Sequence, residues 1–365
     1  MGVGPRVNLG LADLEALALK VLLAGGLAPH QAQPIARSVA LTEAAGSPSH
    51  GLYRIKGYVA SVRSGRVSGA AQPQLHRVAS GVVRVDGQNG FAPATHALGA
   101  PVLIEAAKAH GIAALALTNC YHFSSLWHDL TPLVDAGLTC WAFTIGQCIV
   151  APHGGKERLM GTNPIAFAAP AGRNLPFVLD MATTTTAAGK VKVYDLNERA
   201  MPAGWVVDGA GNPITDAKRG MKILHEEPEG GLSPLGGSPE MASHKGYGLA
   251  MMVHILGGTL VGSSFSPIRN RMQKPNDPDD IGHFFMAIDP GAFRAPGEFE
   301  ADLDAVIDEL HATPAADPAK PVLVAGDPEE AERQRRLKHG IPVPPALDKH
   351  IRDICARSGA AYLLS

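Results

Sequence analysis

Three side chains within residues 46–55 have the chemistry to bind and protonate a small acid. Ser49 carries a hydroxyl, His50 an imidazole that titrates near neutral pH, and Arg54 a planar guanidinium that holds a carboxylate through two parallel hydrogen bonds. Apolar residues recur at helical spacing after Gly51, so the sequence predicts a helix that begins here. His50 and Arg54 would then lie one turn apart and face a common carboxylate pocket. The alternative is that Ser49 only caps the helix and the other two are ordinary surface residues.

Four more polar clusters follow apolar strands or open a helix. They occupy residues 118–126, 161–164, 180–190 and 243–248. In the first cluster, His122 could act as a general base and Ser124 and Ser125 could hold a phosphate, because α/β proteins bind ligands at strand carboxyl ends. In the last, His244 and Lys245 stand at a helix start, which is a good anion site. Taken alone, each cluster is also typical of an ordinary turn or helix start.

The two middle clusters offer hydroxyl groups. Thr162 lies on a tight Gly-Thr-Asn-Pro turn. The four threonines at residues 183–186, followed by Lys190, could line a cofactor pocket. Threonine runs are also normal in strands, so the sequence leaves both interpretations open.

The composition indicates a globular protein that acts on small molecules. The 365 residues suffice for two or three domains, and 45% hydrophobic residues suit a large core. A formal net charge of −2 gives no broad basic surface, so we expect neither nucleic acid nor a membrane as partner. Four cysteines without a CxxC pair fit a cytoplasmic location, and no secretory signal is recognisable.

Several common catalytic motifs are missing from the sequence. No G-x-G-x-x-G links a strand to a helix, and the phosphate-loop, H-E-x-x-H and G-x-S-x-G patterns are also missing. These observations argue against a standard dinucleotide fingerprint, a phosphate-loop ATPase, a zinc protease and an α/β-hydrolase. Residues 246–262 are almost wholly apolar but short for a bilayer crossing, which favours a buried core helix.

Periodicity and punctuation predict an α/β chain. Helices are expected at residues 11–23, 29–45, 92–110, 130–136, 246–257, 296–311, 328–336 and 345–358, the last one packing on the N-terminal helices. Strands are expected at residues 82–86, 112–117, 139–145, 165–167, 177–179 and 284–288, the first of them ending at a Gly-Gln-Asn-Gly turn.

Five of these motifs occur together in a recognisable order. They are Ser49-His50-Gly51 with Arg54, the loop Asn119-Cys120-Tyr121-His122-Phe123, the turn Gly161-Thr162-Asn163-Pro164, Asp180-Met181-Ala182-Thr183 with Gly189-Lys190, and Lys245-Gly246-Tyr247-Gly248-Leu249. In this order they resemble the malate/L-lactate dehydrogenase family, which lacks a Rossmann fold. The resemblance covers nearly the whole chain, including the turn at Gly326.

The resemblance implies a three-part α/β subunit with a non-Rossmann NAD(P)-binding sheet. The expected parts are a helical substrate-side domain at residues 1–75 completed by 290–365, a small α/β domain at 76–130, and an NAD(P)-binding sheet-rich domain at 131–289. It also implies a homodimer, and hydride transfer between nicotinamide and C2 of a small carboxylic acid.

Roles for individual residues follow from the same resemblance. Arg54 would hold the substrate carboxylate, helped by Thr162. In the imine-reductase branch the proton donor matches His50, supported by Ser49, whereas in the hydroxy-acid branch the proton acceptor matches His122. Residues matching cofactor contacts are His122, Phe123, Ser124, Ser125, Leu126, Asp180, Met181, Ala182, His244, Lys245 and Gly326.

Different residues of the chain favour different branches of the family, the imine reductases and the hydroxy-acid dehydrogenases. Residues 123–127 and 243–245 look like those of the Δ1-piperideine-2-carboxylate/Δ1-pyrroline-2-carboxylate reductases. Those enzymes carry an acidic residue where this chain has Lys190, which matches the hydroxy-acid branch and is a cation suited to polarising a carbonyl. We therefore expect a 2-oxo or 2-hydroxy acid as substrate, with a cyclic imino acid as the alternative. A catalytically inactive nicotinamide-binding sensor or assembly subunit is a third hypothesis.

The choice between NAD and NADP stays open at this point. Glu329 and Glu330 disfavour a 2′-phosphate, while Arg333, Arg335 and Arg336 favour one. The imine-reductase branch would imply NADPH.

Overall fold

The computed structural model describes residues 7–122, 125–263, 272, 274, 277–343 and 345–358. The α-helices are α1 (Leu11–Ala24), α2 (Pro29–Ala44), α3 (Ile55–Arg63), α4 (Ala92–His110), α5 (Leu126–Asp135), α6 (Ala188–Leu196), α7 (Ala217–His225), α8 (Ser243–His254), α9 (Glu298–Ala312), α10 (Asp327–His339) and α11 (Pro345–Ser358). The strands are β1 (Val7–Leu9), β2 (Gln74–Ala79), β3 (Val82–Phe91), β4 (Ile112–Tyr121), β5 (Thr139–Thr144), β6 (Ile165–Ala169), β7 (Phe177–Met181), β8 (Val206–Val207), β9 (Pro213–Ile214), β10 (Gly231–Leu232), β11 (Ile281–Ile288) and β12 (Ile341–Val343).

The main sheet has seven strands in the order β2-β3-β4-β11-β5-β6-β7. Strand β3 pairs antiparallel with β2 and parallel with β4, so the sheet is mixed. Two smaller sheets join β1 to β12 and arrange β10, β8 and β9 side by side. The predicted α/β class is therefore confirmed.

The chain forms two compact units. The first consists of Met1–Trp141, Phe167–Leu179 and Phe285–Ser365, and the second of Ala142–Ala166 and Asp180–Phe284. The further division of the first unit near residue 75, which the three-part scheme contains, stays a prediction.

A helical core stabilises the first unit. Leu14, Leu17 and Leu22 of α1 pack with apolar residues of α2 and α3, as helical periodicity predicts. Ile351 and Cys355 of α11 belong to the same buried cluster. The last helix therefore packs on the N-terminal helices, as the sequence indicated.

The chain before α3 departs from the predicted helix. Residues Pro48–His50 and Leu52–Arg54 form two short 3₁₀ turns that meet at Gly51. At Gly51 φ is −88° and ψ is −144°, which is not helical. A Cβ at this position would overlap the carboxylate of Glu43, so the turn depends on a contact with a residue of another helix.

The predicted Gly-Gln-Asn-Gly turn after residue 86 is wrong, because β3 continues through it to Phe91. Gln88 and Asn89 have positive φ values of 53° and 59°, and the pairing with β4 shifts register between Asp86 and Gly90. The Asp86 carboxylate accepts a hydrogen bond from the Gln88 N–H at 2.8 Å. These residues form a bulge, which disturbs a ladder locally and lets the strand resume.

The apolar stretch predicted as a core helix begins earlier and is less buried than expected. Helix α8 starts at Ser243 and continues as a π-helical segment, Ile255–Leu260. Met252, Ile255 and Leu260 are exposed. Across the residues that the structure describes, none of the helices combines the length and apolarity required to cross a bilayer.

Gln31 links α2 to the loop at Ala71 and to the end of β3 in the interior of the first unit. Its side chain is fully buried, its amide donates to the Ala71 carbonyl at 2.8 Å, and its oxygen accepts from the Phe91 N–H at 3.0 Å. The Ala71 carbonyl also lies 2.7 Å from Nε2 of His30, so the buried Phe91 N–H is the group that relies most on this amide.

We expect Gln31→Leu to lower the free energy of unfolding by about 1–3 kcal/mol, because the buried Phe91 N–H loses its acceptor while the Ala71 carbonyl keeps its contact with His30. Gln33→Leu is the matched control, since Gln33 lies on the same helix with an exposed side chain. Urea unfolding followed by circular dichroism measures both. Equal midpoints for the two variants would contradict the prediction.

Candidate active site

Ser49, His50 and Arg54 lie together on the two 3₁₀ turns. The Ser49 hydroxyl is 3.1 Å from Nδ1 of His50. The Nε of Arg54 donates to the Ser49 carbonyl at 2.7 Å. No described residue engages the two terminal nitrogens of Arg54, so they are available to a carboxylate as a two-pronged donor.

A buried carboxylate beneath the turns fixes their position. Oε2 of Glu43 accepts a hydrogen bond from the Leu52 N–H at 2.9 Å. Burial raises the pKa of Glu43, while this hydrogen bond and the charge of Arg336 lower it. The carboxylate of α2 thus holds the backbone that carries Ser49 on one side and Arg54 on the other.

His50 is neutral in this arrangement. Its burial, and to a lesser degree the nearby Arg54 cation, lower the pKa of His50 to about 4. An imidazole with so low a pKa binds a proton only weakly. It can donate one only when its pKa is raised, for example by a bound anion that cancels the charge of Arg54.

His122 approaches the same region from the end of β4. The ring centroids of His50 and His122 are 6.4 Å apart. His122 has a φ of 40°, which is unusual for a residue other than glycine, and its carbonyl accepts from the Ala92 N–H at 3.3 Å. The hydroxyl of Tyr58 lies 2.9 Å from Nδ1 of His122.

The structure therefore brings together the four residues predicted for substrate chemistry in the first unit, Ser49, His50, Arg54 and His122. The sequence interpretation missed Tyr58. It lies four residues after Arg54 on α3, at the spacing that places two side chains on one helix face, and this spacing was the signal available.

The loop after His122 fits its predicted role only in part. The Ser125 hydroxyl is buried and lies 2.7 Å from that of Thr42, so it fastens α5 to α2. Leu126 is fully buried in the core. Phe123 and Ser124 lie outside the described residues. Ser125 and Leu126 therefore serve packing in this structure, and a cofactor contact by them stays a prediction.

In the second unit, Asn163 organises the turn that carries Thr162. Its side chain is fully buried, accepts from the Gly146 N–H at 3.2 Å and donates to the Ala250 carbonyl at 3.0 Å. The Thr183 hydroxyl donates to the carbonyls of Thr162 and Asn163, both at 3.0 Å. The turn is thereby tied to the end of β5, to α8 and to the threonine run.

The threonine run mainly connects loops through hydrogen bonds. The Thr185 hydroxyl donates to the Pro234 carbonyl at 2.8 Å, and the Thr183 carbonyl accepts from the Leu235 N–H at 3.0 Å. Leu235 in turn lies against Gly246 of α8, where a Cβ would overlap its backbone. Three of the predicted polar clusters therefore meet within the second unit.

The donor set of these segments fits the anionic part of NAD(P). His244 and Lys245 are exposed in the first turn of α8, where N–H groups and the helix dipole favour phosphate. Asp180 is exposed and Met181 and Ala182 are partly exposed at the end of β7. A cofactor contact by these residues stays a prediction. Lys190 lies exposed on α6.

Gly326 begins the turn into α10 beside the start of β7. Its φ of 106° favours glycine, and the neighbouring Ala325 carbonyl accepts from the Val178 N–H at 3.0 Å. The charges after this turn pair with one another: Arg333 binds Glu330, and both Arg335 and Arg336 bind Glu332. All three arginines that favoured NADP are therefore engaged by glutamates of α10, and the choice between NAD and NADP stays open.

Comparisons with known proteins show the family of this chain. Residues 9–352 match the family model for malate/L-lactate dehydrogenase. A Δ1-pyrroline-2-carboxylate reductase of Ancylobacter novellus is 42% identical, over 93% of this chain and 95% of the relative.

Two solved structures share the fold over almost the whole chain. The malate dehydrogenase of Entamoeba histolytica superimposes with a TM-score of 0.92 at 25% identity, covering 98% of this chain and 99% of the other. The Δ1-piperideine-2-carboxylate reductase of Pseudomonas syringae pvar. tomato has a TM-score of 0.84 at 32% identity, covering 95% and 99%. The resemblance inferred from the five motifs is confirmed: this chain belongs to the malate/L-lactate dehydrogenase family and is an NAD(P)-dependent oxidoreductase.

Proposed function

We propose that this enzyme reduces a cyclic 2-imino acid, such as Δ1-pyrroline-2-carboxylate, to the corresponding cyclic amino acid. The observation that carries the proposal is the Ser49–His50 pair, 3.1 Å apart, beside an Arg54 guanidinium with two available nitrogens. This places an anion anchor next to a group that handles protons. The relative from Ancylobacter novellus, which is named for this activity, supports the same substrate class.

The reaction needs one hydride at C2 and one proton at the ring nitrogen, so that C=N becomes CH–NH. Bound NAD(P)H supplies the hydride. Arg54 holds the substrate carboxylate and thereby fixes the orientation of C2. His50 supplies the proton to the nitrogen from its ring.

The negative charge of the substrate raises the pKa of His50 and so favours its protonated form. In the empty site the pKa of His50 is about 4, lowered by burial and then by Arg54. A carboxylate on Arg54 offsets that positive charge and raises the pKa, so the imidazole can carry the proton it donates. The Ser49 hydroxyl can accept from Nδ1–H of the protonated ring and can donate to Nδ1 of the neutral ring.

A 2-oxo or 2-hydroxy acid is the second candidate substrate class. The malate dehydrogenase fold match and Lys190 favour it, because a lysine cation can stabilise oxygen charge that develops on a carbonyl. The order of the two classes is thus reversed from the sequence-based expectation, since Ser49 and His50 are paired and Lys190 is exposed on α6.

Reduced-nicotinamide absorbance distinguishes the candidates. We expect a higher kcat/KM with Δ1-pyrroline-2-carboxylate or Δ1-piperideine-2-carboxylate than with pyruvate or oxaloacetate, and both NADH and NADPH should be tried. The opposite order would favour the oxo-acid reaction. Nicotinamide binding without turnover of either class would favour an inactive sensor or assembly subunit.

We further propose that the enzyme works as a cytoplasmic homodimer, as its family resemblance implies. Light scattering of the purified protein should then give twice the 38.1 kDa mass of one chain. A single-chain mass at assay concentration would contradict this.

We expect Arg54→Lys to raise the substrate KM roughly 10- to 100-fold, because a point charge loses one of two charge-assisted hydrogen bonds. Arg63→Lys is the matched control, since Arg63 lies exposed at the end of α3. Steady-state kinetics with saturating cofactor provide the measurement. An unchanged KM would remove Arg54 from the substrate site.

We expect Arg54→Gln to raise the pKa of His50 above its value of about 4, because one of its two causes is removed. The pKa should stay below 6.5, since burial remains the larger cause. NMR titration of the imidazole C–H signals measures this shift, with Arg63→Gln as the control. A pKa that does not move in Arg54→Gln would show that the two side chains are electrostatically independent.

A further inference from the structure

Tyr58 presents a buried hydroxyl to the second histidine of the site. The side chain is 4% exposed, and its oxygen is 2.9 Å from Nδ1 of His122. Within the part of the chain that the structure describes, this nitrogen is the one hydrogen-bond partner of the phenol. The hydroxyl therefore has a single nearby acceptor for its proton.

The direction of this hydrogen bond follows from the burial of the phenol. Burial raises the pKa of Tyr58, so the hydroxyl keeps its proton at any working pH of the enzyme. If Nδ1 of His122 carried a proton, the phenol proton would be left without an acceptor, which disfavours that state roughly 5- to 150-fold. Tyr58 therefore donates to Nδ1, and the proton of the neutral imidazole resides on Nε2.

The hydrogen bond to His50 is different in kind. Ser49 is exposed, so water can accept or donate whatever its hydroxyl does not share with Nδ1 of His50. This bond can reverse its direction when His50 gains or loses a proton. The bond from Tyr58 to His122 cannot reverse at comparable cost, because the phenol is shielded from water.

We propose that Tyr58 is a positioning residue that keeps His122 in the tautomer with its proton on Nε2. His122 then acts in the site as a hydrogen-bond donor, and proton transfer belongs to His50. This division of roles rests on the proposed function, because it assigns the acid of that reaction.

The packing around Tyr58 and His122 holds this geometry. The ring of Tyr58 meets that of Phe91 edge to face, with centroids 5.4 Å apart. The backbone of His122 is fixed at a φ of 40° by its bond from Ala92 at the start of α4. A strained backbone and an oriented ring at the same residue are typical of a functional site.

The same argument disfavours the proton-acceptor role that the hydroxy-acid branch assigns to His122. An acceptor needs an unprotonated Nε2, which requires the proton on Nδ1 and the reversed hydrogen bond to Tyr58. The buried phenol opposes that state, so His50 is the residue with freedom to change its protonation.

Nitrogen-15 NMR of the wild-type protein tests the tautomer directly. We expect a pyridine-type signal for Nδ1 of His122 and a pyrrole-type signal for Nε2, with His122→Gln identifying the resonances. A pyrrole-type Nδ1 in the wild-type protein would overturn the proposal. This reading needs neither substrate nor turnover, so it stays separate from the test of the proposed function.

Tyr58→Phe removes the hydroxyl and keeps the ring that packs on Phe91. We expect His122 to become a mixture of tautomers. We also expect kcat to fall about tenfold or more, because an imidazole with its proton on Nδ1 cannot donate a hydrogen bond from Nε2. Tyr121→Phe is the matched control, since the hydroxyl of Tyr121 is 2.6 Å from that of Ser61 and its ring also packs on Phe91. It should keep the wild-type tautomer.

An unchanged His122 spectrum in a folded Tyr58→Phe protein would overturn the proposal, as would an equal change in Tyr121→Phe. A changed tautomer in Tyr58→Phe alone supports it, whichever substrate class proves correct.

Discussion

The hydrogen bond from the Leu52 N–H to the buried carboxylate of Glu43 is the contact on which the substrate side of the site depends. Two 3₁₀ turns are too short to hold a position by their own hydrogen bonds. The carboxylate anchors them at their junction, and Gly51 permits the approach because it has no Cβ. Arg54 and Ser49 take their places from this one anchor.

Buried polar side chains also hold the backbone of other segments of the chain through hydrogen bonds. Gln31 ties α2 to Ala71 and Phe91, and Asn163 ties its turn to Gly146 and Ala250. In each case a fully buried amide satisfies backbone groups that the loop itself leaves unpaired. Loops held in this way can carry polar residues at a site while their backbone stays in one conformation.

Regular elements could be predicted from the sequence because their signal is local. The helix at 92–110 has periodic apolar residues and a closing glycine, and the structure has α4 at Ala92–His110. The two 3₁₀ turns could not be predicted, since their shape depends on Glu43, which belongs to another helix. The bulge at Gln88 and Asn89 read as a turn because glycine and asparagine favour both.

The candidate site shows the same division between local and distant information. Residue types and order sufficed to select Ser49, His50, Arg54 and His122, which the structure places near one another, while their roles stay predictions. The roles of Ser125 and Thr183 could not be predicted, because the groups to which their hydroxyls hydrogen-bond lie on other segments of the chain. Tyr58 was missed because a tyrosine at helical spacing looks like one more residue of an apolar face.

The placement of Arg54 and Tyr58 on consecutive turns has a mechanical consequence. Arg54 immediately precedes α3, and Tyr58 lies on the first turn of that helix, so the two residues are held at a fixed spacing. A shift of helix α3 would move Arg54, which binds the substrate carboxylate, and Tyr58, the partner of His122, together. Relatives with roomier or tighter pockets could therefore arise by sliding α3 as a body, with the spacing between the Arg54 guanidinium and the Tyr58 hydroxyl left intact.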